Sequence, residues 1–363
     1  MFLAWREIRY SKTRFALIIG VVVLISYLVF FLTGLAYGLA QENRTSIDKW
    51  EADGIFLAEE SNTNINMSMF PKDLLEEVNA DETASLGVVS SVIEPNRETD
   101  EDAKVNATFF GISAEEFIMP DIIDGDAFGE DRQVVADRSL RDEDGYEVGD
   151  ELSLSGMDLT LELVGFTEDS KFNVAPVLYT NHSTYQEIRA SGFGQREDEI
   201  ISAIVVRQEN GDIEAVEQTT DELALYDIDE FINNLPGYNA QVLTFGLMIG
   251  FLVLIAAMII GIFIYVLTLQ KSSMLGVMKA QGISSAYIGR SVVGQTFILA
   301  AFGVLTGLIL TLGTGLILPN AVPYMNNFIF LITITGLLIS VAVTGAFFSV
   351  KTVVNIDPLE AID

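Results

Sequence analysis

Hydrophobic and polar positions divide this chain into two alternating regimes. Residues 15–41 contain no charged side chain, residues 231–270 contain none, and residues 291–350 continue for 60 positions without one. A bilayer-crossing helix needs about 20 mostly apolar residues, so each of the first two stretches predicts one span. Pro236 and Gly237 mark the start of the second helix. The third stretch is too long for a single span. Its middle, with Pro319, Asn320, Pro323, Asn326 and Asn327, has turn composition and predicts two helices joined by a short hairpin. The expected spans are residues 14–40, 240–269, 291–317 and 328–350, with a short outer loop at 318–327.

Between the first two spans the period changes. Short apolar runs separated by turn residues predict strands at 54–58, 86–89, 105–112, 133–136, 152–154, 159–164 and 201–206. Helical spacing fits 71–79, 183–190 and 213–225. Residues 41–239 therefore predict a large α+β domain, with room for two lobes and enough chain for its own core. The fold class is a membrane protein of four transmembrane α-helices, one before and three after the inserted domain.

Charge orients this layout. Residues 41–240 hold 47 acidic and 12 basic side chains, a balance of −35 within a chain whose net charge is −31. All eight remaining basic residues (Arg6, Arg9, Lys12, Arg14, Lys271, Lys279, Arg290 and Lys351) fall on one side of the membrane if there are four spans. Short cytoplasmic segments carry an excess of Lys and Arg. Both termini are expected in the cytoplasm and the inserted domain outside, in a multi-pass protein of the cell membrane. A cleaved signal peptide fits poorly, because the first apolar run exceeds an ordinary signal-peptide core. Residues 1–13 fit an amphipathic cytoplasmic helix, with Met1, Ala4, Trp5 and Ile8 on one face. Scattered surface acidity mainly serves solubility, and without cysteine no disulfide supports the outer domain.

Little in the sequence suggests chemistry. No catalytic constellation stands out, and neither a catalytic residue nor a metal site is expected. His182 is the sole histidine, beside Asn181, Ser183 and Thr184 in a helix-cap or loop setting. The spans hold no Asp, Glu, Lys, Arg or His, hence no proton or ion relay. No Gly-x-x-x-x-Gly-Lys-Ser/Thr loop is present, so energy for any work across the membrane must come from another chain. Glycines four apart (Gly34 and Gly38, Gly246 and Gly250, Gly303 and Gly307) allow close helix approach. The first two pairs are expected to pack together or across a dimer.

Three motifs carry a family resemblance. Residues 274–283, Met-Leu-Gly-Val-Met-Lys-Ala-Gln-Gly-Ile, resemble the cytoplasmic segment after the second span of FtsX-like/MacB-type ABC transporter permeases. Residues 354–362, Val-Asn-Ile-Asp-Pro-Leu-Glu-Ala-Ile, are similar to that family's terminal signature, and residues 145–166 resemble its Gly-x-x-Val-Gly-Asp … Val-Gly pattern. Residues 1–9 and 164–179 look most like the HrtB-type haem-efflux and DevC-type members.

The resemblance implies a non-catalytic permease subunit that works by mechanotransmission. ATP would be hydrolysed by two copies of a separate cytoplasmic ATPase, and the permease would be a homodimer in the lipid bilayer. It assigns 270–290 as the coupling segment, through Leu275, Gly276, Met278, Lys279, Gln281 and Gly282. The tail, 351–363, carries the terminal motif with Asp357, Pro358 and Glu360. Haem, as transported ligand and not as intrinsic cofactor, would enter between the first two spans. Tyr37, Glu42, Tyr238 and Met248 are the candidate ligand-binding residues there, with Phe30, Phe31, Leu35, Phe245 and Phe251 around them. Alternative readings are an exporter of another amphipathic cargo (peptide, antibiotic or lipid) and a non-transporting FtsX-like regulator of an extracellular hydrolase. No nucleic-acid partner is expected.

Overall fold

The computed structural model describes residues 12–95, 104–193, 199–270 and 272–354, which form two units. Residues 39–242 with 320–323 make the inserted domain, and the remaining described residues make the membrane unit.

The domain's strands run in chain order. They are β1 (Gly54–Ala58), β2 (Phe70–Pro71), β3 (Val78–Asn79), β4 (Glu82–Pro95) and β5 (Val105–Gly111). Next come β6 (Asp124–Gly125), β7 (Gln133–Asp137), β8 (Glu151–Leu154), β9 (Thr160–Thr167) and β10 (Lys171–Phe172). The last are β11 (Ala175–Thr180), β12 (Ile200–Ile201), β13 (Ala203–Arg207), β14 (Glu217–Gln218) and β15 (Leu223–Asp227). Fourteen-residue β4 organises them. Its first residues pair with β13, which continues to β1 and the edge strand β15, all antiparallel. Its later residues pair with β5 and β8. From there the path closes through β11, β7 and β9 into a ring, with β5–β11 and β7–β9 parallel. Closure removes the free edges that an open sheet would expose.

Strand alternation distributes side chains between cores. Phe109 packs inside the ring with Leu161, Leu163, Phe166 and Leu178. Its neighbour Phe110 points the other way, against Trp50, Phe172 and Tyr179, as the two-residue period requires. In β1, Ile55 and Leu57 face that same second core while Phe56 joins Phe70, Ile204 and Val206 in a third. Burial on both faces explains why this run is continuously apolar.

The helix His182–Phe193 lies against the ring at a dent made by two glycines. Gly87 and Gly111 are direct partners across β4 and β5. A Cβ at Gly111 would stand 2.5 Å from Tyr185 Cβ, and one at Gly87 would be 2.5 Å from Tyr185 Cζ. The paired glycines thus seat the fully buried Tyr185 ring.

Two expected helices are not formed. Residues 71–79 give the end of β2, a 3-10 turn over Lys72–Glu77, and β3. Residues 213–225 give a 3-10 turn, β14 and the start of β15. The two segments pair with each other, Asn79 opposite Glu217 and Val78 opposite Gln218. Val78 and Leu223 are buried in the third core, and Leu74, Leu75 and Val216 pack on it. Long-range pairing has overridden helical spacing that local propensity alone could not fix.

Among the described residues four helices are long and apolar enough to span a bilayer, Lys12–Gln41, Tyr238–Leu269, Ser285–Gly315 and Phe328–Val354, and apart from the end of the first and the start of the second they lie in the membrane unit. The first and third approach closely through Gly303 and Gly307. A Cβ at Gly303 would sit 2.6 Å from Val22 Cγ1, and one at Gly307 would strike Ser26 Oγ and come within 3.0 Å of the Tyr27 nitrogen. Hydroxyls inside the helices bond back to their own turn, Ser26 to the Val22 carbonyl at 2.7 Å and Thr311 to that of Gly307 at 2.9 Å, satisfying polar atoms that lipid could not. Gly34 has a different role from the expected one. Tyr324 fills its space: a Cβ at Gly34 would lie 2.8 Å from Tyr324 Cζ, and one at Gly315 would lie 3.0 Å from Tyr324 Cδ1. Gly246 and Gly250 face open space, so they do not pack on Gly34 within this chain.

Candidate functional site

The segment between the second and third spans folds as a short helix, Ser272–Ala280, followed by a latch. Gly282 has φ +86°, a left-handed conformation that favours glycine. Its N–H donates to the Lys279 carbonyl at 3.0 Å, and the Ile283 N–H reaches back to the Met278 carbonyl at 3.1 Å. This pair of bonds closes a helix C-terminus in the Schellman pattern, which brings the residue after the glycine against the last turn. Met278 and Ile283 accordingly pack with Ile288 and Val292 at the base of the third span. Ser284 then caps that span, its Oγ accepting from the Tyr287 N–H. Gly276 is half-buried within the short helix and Gln281 is exposed at its end. Leu275 and Lys279 lie on the same helix. Asp357, Pro358 and Glu360, with residues 1–11 of the expected amphipathic helix, fall outside the described residues.

The four candidate ligand residues divide between the units. In the membrane unit, Tyr37 packs edge-on against Phe330 at 5.6 Å between ring centroids. Met248 is exposed on the second span, as is Phe251. Phe30 is wholly buried in the helix-bundle core, and Phe31 stacks between Tyr27 and Tyr324. In the inserted domain, Glu42 makes a half-buried ion pair with Lys171 at 2.9 Å. Tyr238 is buried in the second core. Burial would lower the Arg44 pKa, but hydrogen bonds with Asp48 and the Tyr238 hydroxyl outweigh it and raise the value. Glu42 and Tyr238 therefore already have partners within their own unit.

Residues 246–358 match the model of the FtsX-like permease C-terminal domain. The chain carries an FtsX-like permease domain. The match spans the second to fourth helices and the latched segment between them. Similarity also extends along the whole sequence. A Staphylococcus epidermidis protein assigned as hemin transport system permease protein HrtB is 23% identical over 367 residues, covering 100% of this chain and 99% of the relative. A Staphylococcus haemolyticus protein of the same description is 21% identical over 365 residues, with the same coverage. Among solved structures, the periplasmic region of MacB from Actinobacillus actinomycetemcomitans gives a TM-score of 0.34 at 11% identity, over 51% of this chain and 94% of that one. The extracellular domain of the noncanonic ABC-type transporter YknZ gives 0.31 at 13% identity, over 47% and 99%. The domain match and the whole-length similarity both point to permeases as what this chain is similar to.

Two polar features of the inserted domain were not legible from its sequence. The first surrounds His182, which opens the helix seated on the ring. Ser85 Oγ donates to Glu116 Oε1 at 2.8 Å and lies 2.8 Å from His182 Nε2. With its only proton given to Glu116, Ser85 must accept from Nε2–H. Nδ1 is then the unprotonated nitrogen, buried without a partner among the described residues. The carboxylate contacts the serine and not the imidazole, the reverse of the order in which an acid orients a histidine base. This cluster ties strands to the helix. The second is Arg189, which shares a buried helix face with Tyr185 and Ile188. The i, i+3, i+4 spacing of these three residues was the available signal.

Proposed function

We propose that this permease is the membrane subunit of an ABC-type efflux system that exports haem from the membrane by mechanotransmission. The carrying observation is similarity over the entire chain to two proteins assigned to hemin transport. Spans without ionisable residues support a lever, which needs packing and not ion sites. In this reading both termini are cytoplasmic, two copies of the permease pair with two ATPase subunits, and the Ser272–Ala280 helix docks on the ATPase. Closure of the ATPases on ATP would pull that helix. The Gly282 latch would pass the pull to the third span, whose close contact at Gly303 and Gly307 engages the first. The first and second spans connect directly to the inserted domain in the chain and would move it. Tyr37 and Met248 are the haem contacts to test first, because Glu42 and Tyr238 are already engaged by Lys171 and Arg44.

The test combines binding with coupling. Purified permease titrated with haem should develop a shifted absorbance band, and cells lacking the permease should become haem-sensitive. Gly276→Pro removes a hydrogen bond from the short helix at a cost of about 3 kcal/mol. It should abolish haem tolerance while the absorbance shift remains. Absence of both the spectral shift and the haem phenotype removes the haem assignment. Normal export by correctly inserted Gly276→Pro protein removes the coupling role.

A further inference from the structure

Arg189 is only 5% exposed. Among the described residues its guanidinium pairs with no carboxylate. Its one hydrogen bond runs from Nη2 to the Met69 sulfur at 3.8 Å, and its buried Nε has no partner. Taking a cation out of water costs several kcal/mol unless an opposite charge and hydrogen bonds compensate. The domain holds 47 acidic residues, yet none of the described ones is placed against this cation. A bound anion would supply the missing charge.

There is space for one. Arg189 lines a cavity of about 210 Å³ with Asn66, Met69, Ser90, Tyr185 and Ser202. Its floor is fixed: Ser202 Oγ accepts from the Val88 N–H at 3.0 Å and lies 3.5 Å from the Tyr185 hydroxyl, whose ring is held in the Gly87–Gly111 dent. A preformed cavity with one buried charge and a few polar groups is the usual build of a small-molecule site. Its volume falls below the roughly 300 Å³ at which drug-sized sites begin.

We propose that this cavity binds a small monocarboxylate, its carboxylate on the Arg189 guanidinium and its short apolar part against Met69 and Val88. The planar fork of arginine matches a carboxylate with two parallel charge-assisted bonds. One cation compensates one negative charge, and the strongly negative field of the domain disfavours a dianion such as phosphate. The site stands independently of the haem reading, and its test needs neither ATPase nor haem.

The full-length permease in detergent is titrated at pH 7.5 with acetate, butyrate and hexanoate. Sodium chloride and phosphate at matched ionic strength control for screening of the acidic surface. Calorimetry and thermal unfolding should show saturable one-to-one binding and a raised midpoint for one or more of the carboxylates, and neither effect for the controls. Arg189→Met should lose the binding while its ligand-free midpoint stays at or above wild type, since an unpaired buried charge has been removed. Ser90→Ile keeps the cation but narrows the cavity, and it should weaken butyrate at least tenfold. The proposal is overturned if no carboxylate exceeds sodium chloride, if phosphate saturates the same site, or if Arg189→Met or Ser90→Ile binds butyrate as wild type does.

Discussion

The single histidine gives a direct measurement on the inserted domain. His182 is nine-tenths buried, with Nε2 engaged by Ser85 and Nδ1 without an acceptor. Adding the second proton places a charge where nothing receives it. Burial first, and then the Lys72 charge, push the His182 pKa from 6.5 down to about 4, against smaller opposing effects of Glu116 and Glu199. The unfolded chain takes up the proton near 6.5 and the folded one near 4, so between these values the unfolded state binds more protons. Stability from this group is complete above pH 6.5 and is lost as the pH falls toward 4. The fall from 6.5 to about 4 corresponds to roughly 3 kcal/mol over the whole window, of which about 2 kcal/mol has gone by pH 5.

Because the chain has one histidine, selectively labelled full-length protein without a histidine tag gives one imidazole signal. That signal should hold its neutral position from pH 7.5 to 5 and titrate only below. Forty-seven carboxylates in the domain also respond to acid, so stability is compared with His182→Gln. The wild type should lose about 2 kcal/mol more than the variant between pH 7.5 and 5. A titration midpoint near 6.5 in the folded protein, or equal acid sensitivity of the two proteins, refutes the buried neutral assignment.

Other positions give independent tests. Gly307→Val must displace Ser26 and the Tyr27 backbone, so the yield of monodisperse protein after heating should fall sharply. Gly246→Ala, which meets nothing within 4 Å, should behave as wild type in the same assay. Gly282→Val puts a β-branched residue at φ +86° at a cost of about 1–2 kcal/mol, and limited proteolysis at residues 280–284 should quicken; unchanged cleavage would remove the latch. Tyr185→Ala empties the dent over Gly87 and Gly111 and should lower stability by about 3–5 kcal/mol, read from denaturant unfolding followed by tryptophan emission.

What could be read from the sequence depended on whether a residue's role was local. Charge-free runs longer than a bilayer announce helices whatever they pack against, and β1, β5 and β7 were visible because their apolar runs end at turns. The glycine at 282 was legible as part of a motif, and its reason, a left-handed turn at a helix end, is also local. By contrast, residues 71–79 and 213–225 share a helical period, and only their mutual pairing at Asn79 and Glu217 makes them strands. Within this chain Gly34 does not meet the second span for a similar reason, because Tyr324, almost 300 residues away in sequence, occupies the space. Arg189 shows the same limit in charge. Arginine on a helix reads as solvated surface until the fold turns that face inward and leaves the guanidinium with no carboxylate. In a chain so rich in acids, a partner for every cation is the natural expectation from composition. A buried cation without one becomes visible only once the fold is known, and for that reason the Arg189 cavity is a place to look for a ligand.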